Sequence, residues 1–362
     1  MSGPRCRVAT LAVSLVLAMM VCGEAVEGAP ECPSDTPLPA EGFVRSNGIR
    51  LEYLDWGGTG PALIFIPGSG DDPHVFDDLA PAFTDRFHVI AYARRGSAES
   101  EARPPYDTET LTDDLLGLMN ALKIAKASLV GWSLGGNEIT AMALRHPGRV
   151  AALVYLDAGY DWHDPEYEAA FRALPQILFN TPAAATKSLG AYLAYEKAID
   201  YTQLDDMRRI DAYLCESVVV QPDGHVRPKI PQSVMHALMD SLWTDPPREY
   251  RRVHAPALAF FAESMADLHV ADRKRAAAER EWESRYMAPF RRKSISRIRR
   301  ELAGVKIVLV PGAHDSFFLT SRTEIVRAMR RFLLRGAAFG ASNSFGARSR
   351  PERRDGHNPA GN

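Results

Sequence analysis

Short apolar runs alternate with longer amphipathic stretches through the first half of the chain. Residues 62–66, 87–92 and 150–156 are nearly continuous apolar runs of strand length, which is typical of strands buried on both faces of a parallel sheet. Residues 108–124 place leucines and a methionine on one helical face. Strands that alternate with helices in this way predict right-handed βαβ units around a mostly parallel sheet, an α/β fold.

A hairpin is predicted ahead of this parallel region. Two strand-like runs, residues 43–45 and 49–54, are separated by Asn47-Gly48. Asn-Gly is a strong signal for a two-residue hairpin turn because both positions tolerate positive φ. The sheet should therefore begin with an antiparallel pair.

The alternation stops over residues 161–254 and resumes with strand-like runs at 256–261 and 305–310. A last helix is predicted from Glu324 to about Leu334. The intervening segment reads as a helical insertion, and its aromatic residues are more typical of a packed core than of a pocket lining. Those aromatic residues are Tyr167, Phe171, Phe179, Tyr192, Tyr195, Tyr213 and Trp243.

The N-terminus has the pattern of a secretory signal peptide. Arg5 and Arg7 precede an apolar segment, residues 8–21, and small residues at Gly23 and Ala25 offer a cleavage site. The segment predicts export to the periplasm or the extracellular space, with an uncleaved anchor as the alternative. Cys32 and Cys215 would remain after cleavage and could form one disulfide, although two unpaired thiols are equally compatible with the sequence.

The charge balance excludes one class of partner and leaves a second open. A formal net charge of −2 over 362 residues argues against a dedicated nucleic-acid-binding protein. Residues 272–301 hold eleven Lys/Arg against five Asp/Glu. That excess is expected to be a solvated helical face, and docking on an anionic membrane is the less favoured alternative.

The pentapeptide Gly131-Trp132-Ser133-Leu134-Gly135 is the most informative motif in the chain. It lies between an apolar run, residues 127–130, and a helix-like stretch, as a G-x-S-x-G nucleophile elbow requires. Glycines without Cβ atoms let strand, turn and helix approach closely. Ser133 is therefore the candidate nucleophile.

Several ordered segments between residues 42 and 335 resemble the α/β-hydrolase superfamily. The list comprises Trp56-Gly57-Gly58, Pro67-Gly68-Ser69-Gly70, Arg95-Gly96-Ser97-Ala98-Glu99-Ser100, the elbow, Arg145-His146-Pro147-Gly148 and Pro311-Gly312-Ala313-His314. Ala98 stands where the family usually has glycine. The resemblance implies an α/β-hydrolase fold, with a mostly parallel sheet, flanking helices and a helical cap.

This resemblance divides the chain into six segments. They are a signal peptide (1–25), a linker (26–41), the first part of the α/β-hydrolase core (42–160), a helical cap (161–254), the second part of the core (255–335) and a disordered tail (336–362).

A serine hydroxyl needs a base within hydrogen-bond reach and an acid to orient that base. His314 is the candidate base because it follows a buried strand and the turn Pro311-Gly312, and loops at the carboxyl ends of parallel strands build active sites in such sheets. Two acids stay open. Asp157, after the strand at 150–156, is preferred, and Asp267 is the alternative acid.

The resemblance places an oxyanion hole at the backbone N–H groups of Ser69 and Leu134. Asp71 and Asp72 follow this turn and are expected to be solvated rather than to bind a polar substrate.

The resulting hypothesis is an exported serine hydrolase that cleaves a carboxylic ester or a related small acyl compound through an acyl-enzyme. No metal and no organic cofactor are implied. The alternative is a non-catalytic or weakly catalytic ligand-binding protein on the same fold.

Overall fold

The predicted strands form one eight-stranded sheet in a computed structural model, which describes residues 39–175 and 181–342. The strands are β1 (Ala40–Ser46), β2 (Ile49–Gly57), β3 (Ala62–Ile66), β4 (His88–Tyr92), β5 (Ala127–Trp132), β6 (Val150–Leu156), a separate pair β7 (Val218–Val220) and β8 (Val226–Pro228), β9 (Ala257–Ser264) and β10 (Lys306–Ala313). The sheet order is β1-β2-β4-β3-β5-β6-β9-β10. The pairs β1·β2 and β2·β4 are antiparallel, and the other pairs in this sheet are parallel.

The hairpin prediction is confirmed. Ser46 pairs with Ile49 across the turn, and the two turn residues, Asn47 and Gly48, have φ of 50° and 77°. Two consecutive positive φ values match the right-handed twist of the flanking strands.

Helices cover both faces of the sheet. They are α1 (Thr108–Ala121), α2 (Gly135–Arg145), α3 (Pro165–Arg172), α4 (Leu189–Ile199), α5 (Asp211–Glu216), α6 (Gln232–Thr244), α7 (Arg273–Trp282), α8 (Ala288–Glu301), α9 (Phe317–Thr320) and α10 (Arg322–Ser342). A π-helical turn, Glu283–Met287, joins α7 to α8. The Asp107 side chain accepts from Thr110 N and begins α1.

Two apolar clusters lie on opposite faces of the sheet. Leu111 and Leu115 of α1 belong with Ile64 to one cluster. Phe65, the neighbour of Ile64 in β3, belongs with Met329 of α10 to the other. Successive strand residues point to opposite faces, so each central strand is buried on both sides, as its uninterrupted apolar sequence predicts.

The inserted segment, 161–254, is not entirely helical. It contains α3 to α6 and also the short antiparallel pair β7·β8. The β-branched run Val218-Val219-Val220 was the sequence signal for a strand there. Three residues are too few to show the alternation by which strands are recognised.

The two ends of the chain lie partly outside the described residues. The predicted signal peptide, most of the linker, Cys32 and Phe179 are among the residues not described. Helix α10 continues to Ser342, into the segment predicted as a tail, and 343–362 are not described. Cys215 is disulfide-bonded. In the described part of the chain, no helix has the length and apolarity to cross a bilayer.

Candidate active site

The elbow serine lies on a tight turn between β5 and α2. Ser133 has φ of 50°, and its N–H donates to the Leu156 carbonyl at 3.3 Å. A Cβ on Gly131 would lie 2.5 Å from the Gly135 carbonyl oxygen, and one on Gly135 would lie 2.6 Å from that of Ile66. Both contacts are too short for carbon against oxygen, so the strand and the helix can approach this closely only with glycine at both positions.

The structure brings His314 and Asp157 together. His314 Nδ1 lies 2.6 Å from Asp157 Oδ2, and the two residues are 7% and 0% exposed. The other carboxylate oxygen accepts from Ala262 N at 3.0 Å and from the Tyr160 hydroxyl at 2.7 Å. Both oxygens of Asp157 are therefore held, and one of them orients the imidazole.

The surroundings of His314 favour its protonated form. Burial lowers the pKa of His314, but the hydrogen bond and charge of Asp157, with the charges of Asp315 and Asp71, outweigh it and raise the pKa above its ordinary value. An imidazole tuned in this direction is a stronger base.

Ser133 and His314 are neighbours through Trp132. The Trp132 indole N–H donates to the His314 carbonyl at 3.3 Å. The indole ring of Trp132 and the imidazole ring of His314 lie 5.7 Å apart between centroids. No hydrogen bond joins Ser133 Oγ to His314 among the residues that the structure describes. Such contacts are often long in a free enzyme and shorten when substrate binds.

Asp267 lies in a different environment. Its carboxylate accepts from Thr202 N at 3.0 Å, from Thr202 Oγ1 at 2.6 Å and from His269 N at 2.9 Å. These bonds hold the start of the loop after α4. The structure thus joins Asp157, and not Asp267, to His314.

The two predicted oxyanion donors, Ser69 and Leu134, lie on adjacent turns. A Cβ built on Gly68 would lie 3.3 Å from Ser133 Cβ, which places the Ser69 turn beside the elbow. Within the described residues, neither the Ser69 nor the Leu134 N–H donates to another backbone or side-chain group. Both N–H groups are therefore available to a developing oxyanion.

Arg94 fixes the orientation of the Ser69 turn. This arginine, 1% exposed, donates to the Gly68 carbonyl at 2.6 Å and also to the Pro67 carbonyl. The C=O and N–H of a trans peptide point in opposite directions. Because the Gly68 carbonyl faces Arg94, the N–H of Ser69 points away from Arg94.

Arg94 is itself paired with Glu138 of α2, which is 0% exposed and also accepts from the Tyr92 hydroxyl. The sequence reasoning missed Arg94, Glu138 and Tyr160. Two signals were available in the sequence, since charges are rarely buried without a partner. Arg94 is a charged residue at the end of a buried strand, and Glu138 is a charged residue on the apolar side of α2.

Asp71 and Asp72 were expected to be solvated, and this is wrong for Asp72. Asp72 is 3% exposed, and its side chain accepts from His74 N at 3.0 Å. Asp71 accepts a hydrogen bond from the Tyr213 hydroxyl of α5. The inserted segment covers this loop, and the sequence pattern of the loop itself gave no sign of that cover.

The insertion also lies over the oxyanion turn. The Ser69 hydroxyl lies 3.9 Å from Met239 Sδ of α6, and the Met235 methyl group occupies the space beside Gly70. Elsewhere in the insertion, Tyr167 stacks on Trp243 of α6 and on Phe290 of α8, at 5.6 and 5.3 Å between ring centroids. These three rings pack together with the apolar cluster that contains Leu111 of α1.

The basic segment, residues 272–301, forms α7, the π turn and α8. Many of its cations are paired with acids: Arg275 with Glu279, Arg291 with Glu283, Lys293 with Asp164, Arg297 with Asp161 and Arg300 with Glu301. Asp164 and Asp161 lie outside the segment, so their two pairs reduce the excess positive charge that motivated the membrane alternative.

Comparisons with known proteins agree on the fold. A family profile described as alpha/beta hydrolase fold matches residues 61–191. The chain is 32% identical over 139 residues to a putative carbamate hydrolase RutD of Caulobacter segnis, covering 37% of this chain and 52% of that protein. It thus spans about half the length of that relative. It is 28% identical over 224 residues to a 2-(acetamidomethylene)succinate hydrolase of Mesorhizobium japonicum, covering 57% of this chain and 72% of the relative.

Solved structures show the same likeness at the level of the fold. The crystal structure of E-2-(acetamidomethylene)succinate hydrolase superposes with a TM-score of 0.63 at 24% identity, covering 82% of this chain and 99% of that one. An enol-lactonase from Burkholderia xenovorans superposes with a TM-score of 0.53 at 20% identity, covering 81% and 100%.

Proposed function

Because the chain belongs to the α/β-hydrolase superfamily, we propose that it is a serine hydrolase that cleaves a carboxylic ester or a related acyl compound. The observation that carries this proposal is the 2.6 Å contact between His314 Nδ1 and Asp157 Oδ2, beside a serine held at φ of 50°. Relatives named as hydrolases of a carbamate and of 2-(acetamidomethylene)succinate support hydrolytic chemistry.

The reaction proceeds in two halves. Ser133 Oγ attacks the acyl carbon while His314 Nε2 takes the hydroxyl proton, and the N–H groups of Ser69 and Leu134 stabilise the oxyanion. Collapse of the tetrahedral intermediate breaks the bond to the leaving group, which receives the proton from His314. Water, deprotonated by the same imidazole, then attacks the acyl-enzyme and releases the acid and free Ser133.

Labelling with a fluorophosphonate probe tests the nucleophile directly. We expect wild-type protein to be labelled, Ser133→Ala not to be labelled, and His314→Ala to react at least about a hundredfold more slowly. Ser128→Ala is the matched control, because that buried serine lies on the same strand before the elbow. No labelling of folded wild-type protein would favour the ligand-binding alternative.

Hydrolysis of p-nitrophenyl esters of increasing chain length completes the test. A rate that peaks at one acyl length and disappears in Ser133→Ala supports acyl transfer at this site. A rate unchanged by that substitution would place the activity elsewhere.

We further propose that the protein is exported. The signal-like segment at residues 1–25 and the disulfide-bonded Cys215 support an oxidising destination. Fractionation of a bacterium that expresses the full chain, followed by N-terminal sequencing, tests both export and cleavage. Uncleaved protein confined to the cytoplasm would contradict it.

A further inference from the structure

A cavity of about 710 Å³ lies between α1, α2, α8 and the segment 245–252 that precedes β9. Its volume is within the range of sites that bind small molecules. None of the residues proposed for catalysis lines this cavity. It is therefore a place separate from the candidate active site.

Arg248 lines the cavity and carries a buried charge without a counter-ion. This residue is 7% exposed. Its guanidinium donates to neutral acceptors: the Asn137 side-chain oxygen, the Ala158 carbonyl and the Tyr250 hydroxyl. The remaining terminal nitrogen, Nη2, has no hydrogen-bond partner, and no acid pairs with this arginine in the described part of the chain. A buried charge of this kind costs free energy, which a bound ion of opposite sign would recover.

The other arginines on the cavity wall already have acid partners. These pairs are Arg145 with Asp113, Arg251 with Glu301, Arg252 with Glu249 and Arg297 with Asp161. Of the remaining acids on the wall, Asp245 accepts from Thr108 N at 2.9 Å, and Glu109 is exposed to solvent. Arg248 is therefore the unmatched buried charge of this wall, and its sign is positive.

Asn137 offers a second hydrogen-bond donor on the same wall. Its Oδ1 accepts the Nε–H of Arg248, which determines which end of the amide is the oxygen. Its Nδ2 donates to no group among the residues that the structure describes. A carboxylate has two oxygens that accept such donors, and it also supplies the negative charge that the guanidinium lacks.

We propose that the cavity binds a small organic carboxylate. The anionic group contacts Arg248 and Asn137, and the hydrocarbon part of the ligand contacts the apolar wall. The apolar residues of that wall are Ala141, Leu144, Pro246 and Pro247. An inorganic anion would balance the charge but would bury none of this apolar surface. The inference goes beyond the proposed function and does not depend on it.

Arg248 connects this site to both catalytic turns. Asn137 lies in the first turn of α2, directly after the elbow that carries Ser133, and Ala158 follows Asp157. A carboxylate that holds the guanidinium in place should therefore stabilise both turns and raise the melting temperature of the protein.

Two ligands of equal length separate charge from shape. Hexanoate and hexanamide differ in the charge of the head group. In calorimetry we expect hexanoate to bind at least about tenfold more tightly than hexanamide. Arg248→Met should weaken hexanoate binding at least about tenfold and abolish this preference. Arg227→Met, at an exposed position of β8, is the matched control and should leave both affinities unchanged.

Ala141→Phe tests the location without altering the buried arginine. The larger side chain would fill the cavity, so hexanoate binding should weaken at least about tenfold. Ala121→Phe, at the exposed end of α1, is the control for added size. Thermal denaturation of each variant confirms that it is folded.

Three results would overturn the proposal. The first is hexanoate binding that is absent, or that is unchanged by Ala141→Phe, since unchanged binding would place the ligand elsewhere. The second is equal affinity for hexanoate and hexanamide. The third is tighter binding of inorganic phosphate than of hexanoate. Ser133→Ala should bind hexanoate as tightly as the wild type, so failure of the proposed hydrolase would leave this site intact.

Discussion

Two residues proposed for catalysis, Ser133 and Asp157, have φ of 50° and 43°. Residues other than glycine rarely occupy this region, and such strain is concentrated at functional sites. Ala98 has φ of 48° where the family usually has glycine, which explains that family preference. The sequence identified Ser133 by its flanking glycines, but Asp157 and Asp267 each follow a strand. Only the folded positions of those strand ends decide which acid meets His314.

The first prediction concerns that choice of acid. Asp157→Asn should lower kcat for p-nitrophenyl ester hydrolysis by about 10²–10⁴-fold, because an amide cannot stabilise the imidazolium. Asp157 raises the pKa of His314, so the acid limb of the rate profile should also move to lower pH. The control is Asp267→Asn, whose carboxylate binds Thr202 instead. An equal loss in both variants, or an unmoved acid limb, would contradict the assignment.

At the scale of elements, the close contact of β3, β5 and α2 determines where the elbow lies. Uninterrupted apolar runs were sufficient to predict the central strands, and Asn47-Gly48 was sufficient for the hairpin. The pair β7·β8 and the cover over Asp72 were not predicted. These features depend on contacts between distant segments, which periodicity within a single window does not report.

Adding a methyl group where β3, β5 and α2 meet should show how closely these elements are packed. We expect Gly135→Ala to lower the free energy of unfolding by about 1–3 kcal/mol, because the new Cβ would overlap the Ile66 carbonyl. The backbone movement that relieves this overlap would also displace the elbow and slow fluorophosphonate labelling. Gly148→Ala is the matched control, since a Cβ there meets no atom within 4 Å. Urea denaturation measures both variants, and equal stabilities would contradict the tight junction.

For the whole molecule, the formal net charge of −2 conceals an uneven distribution of charge. Five of the eleven cations in the 272–301 segment are paired with acids. Around the histidine loop, Asp71 and Asp315 both act on the pKa of His314. Composition reports only the sum of these charges, and Asp71 and Asp315 are far apart in the sequence, so this arrangement was not predicted.

The two carboxylates that act on His314, Asp71 and Asp315, also bear on how the reaction ends. Ester cleavage leaves a newly formed acid anion close to groups of its own sign, so the anion should depart quickly and inhibit weakly. Because burial raises the pKa of Asp71 to about 7, that repulsion should grow as pH rises through this value.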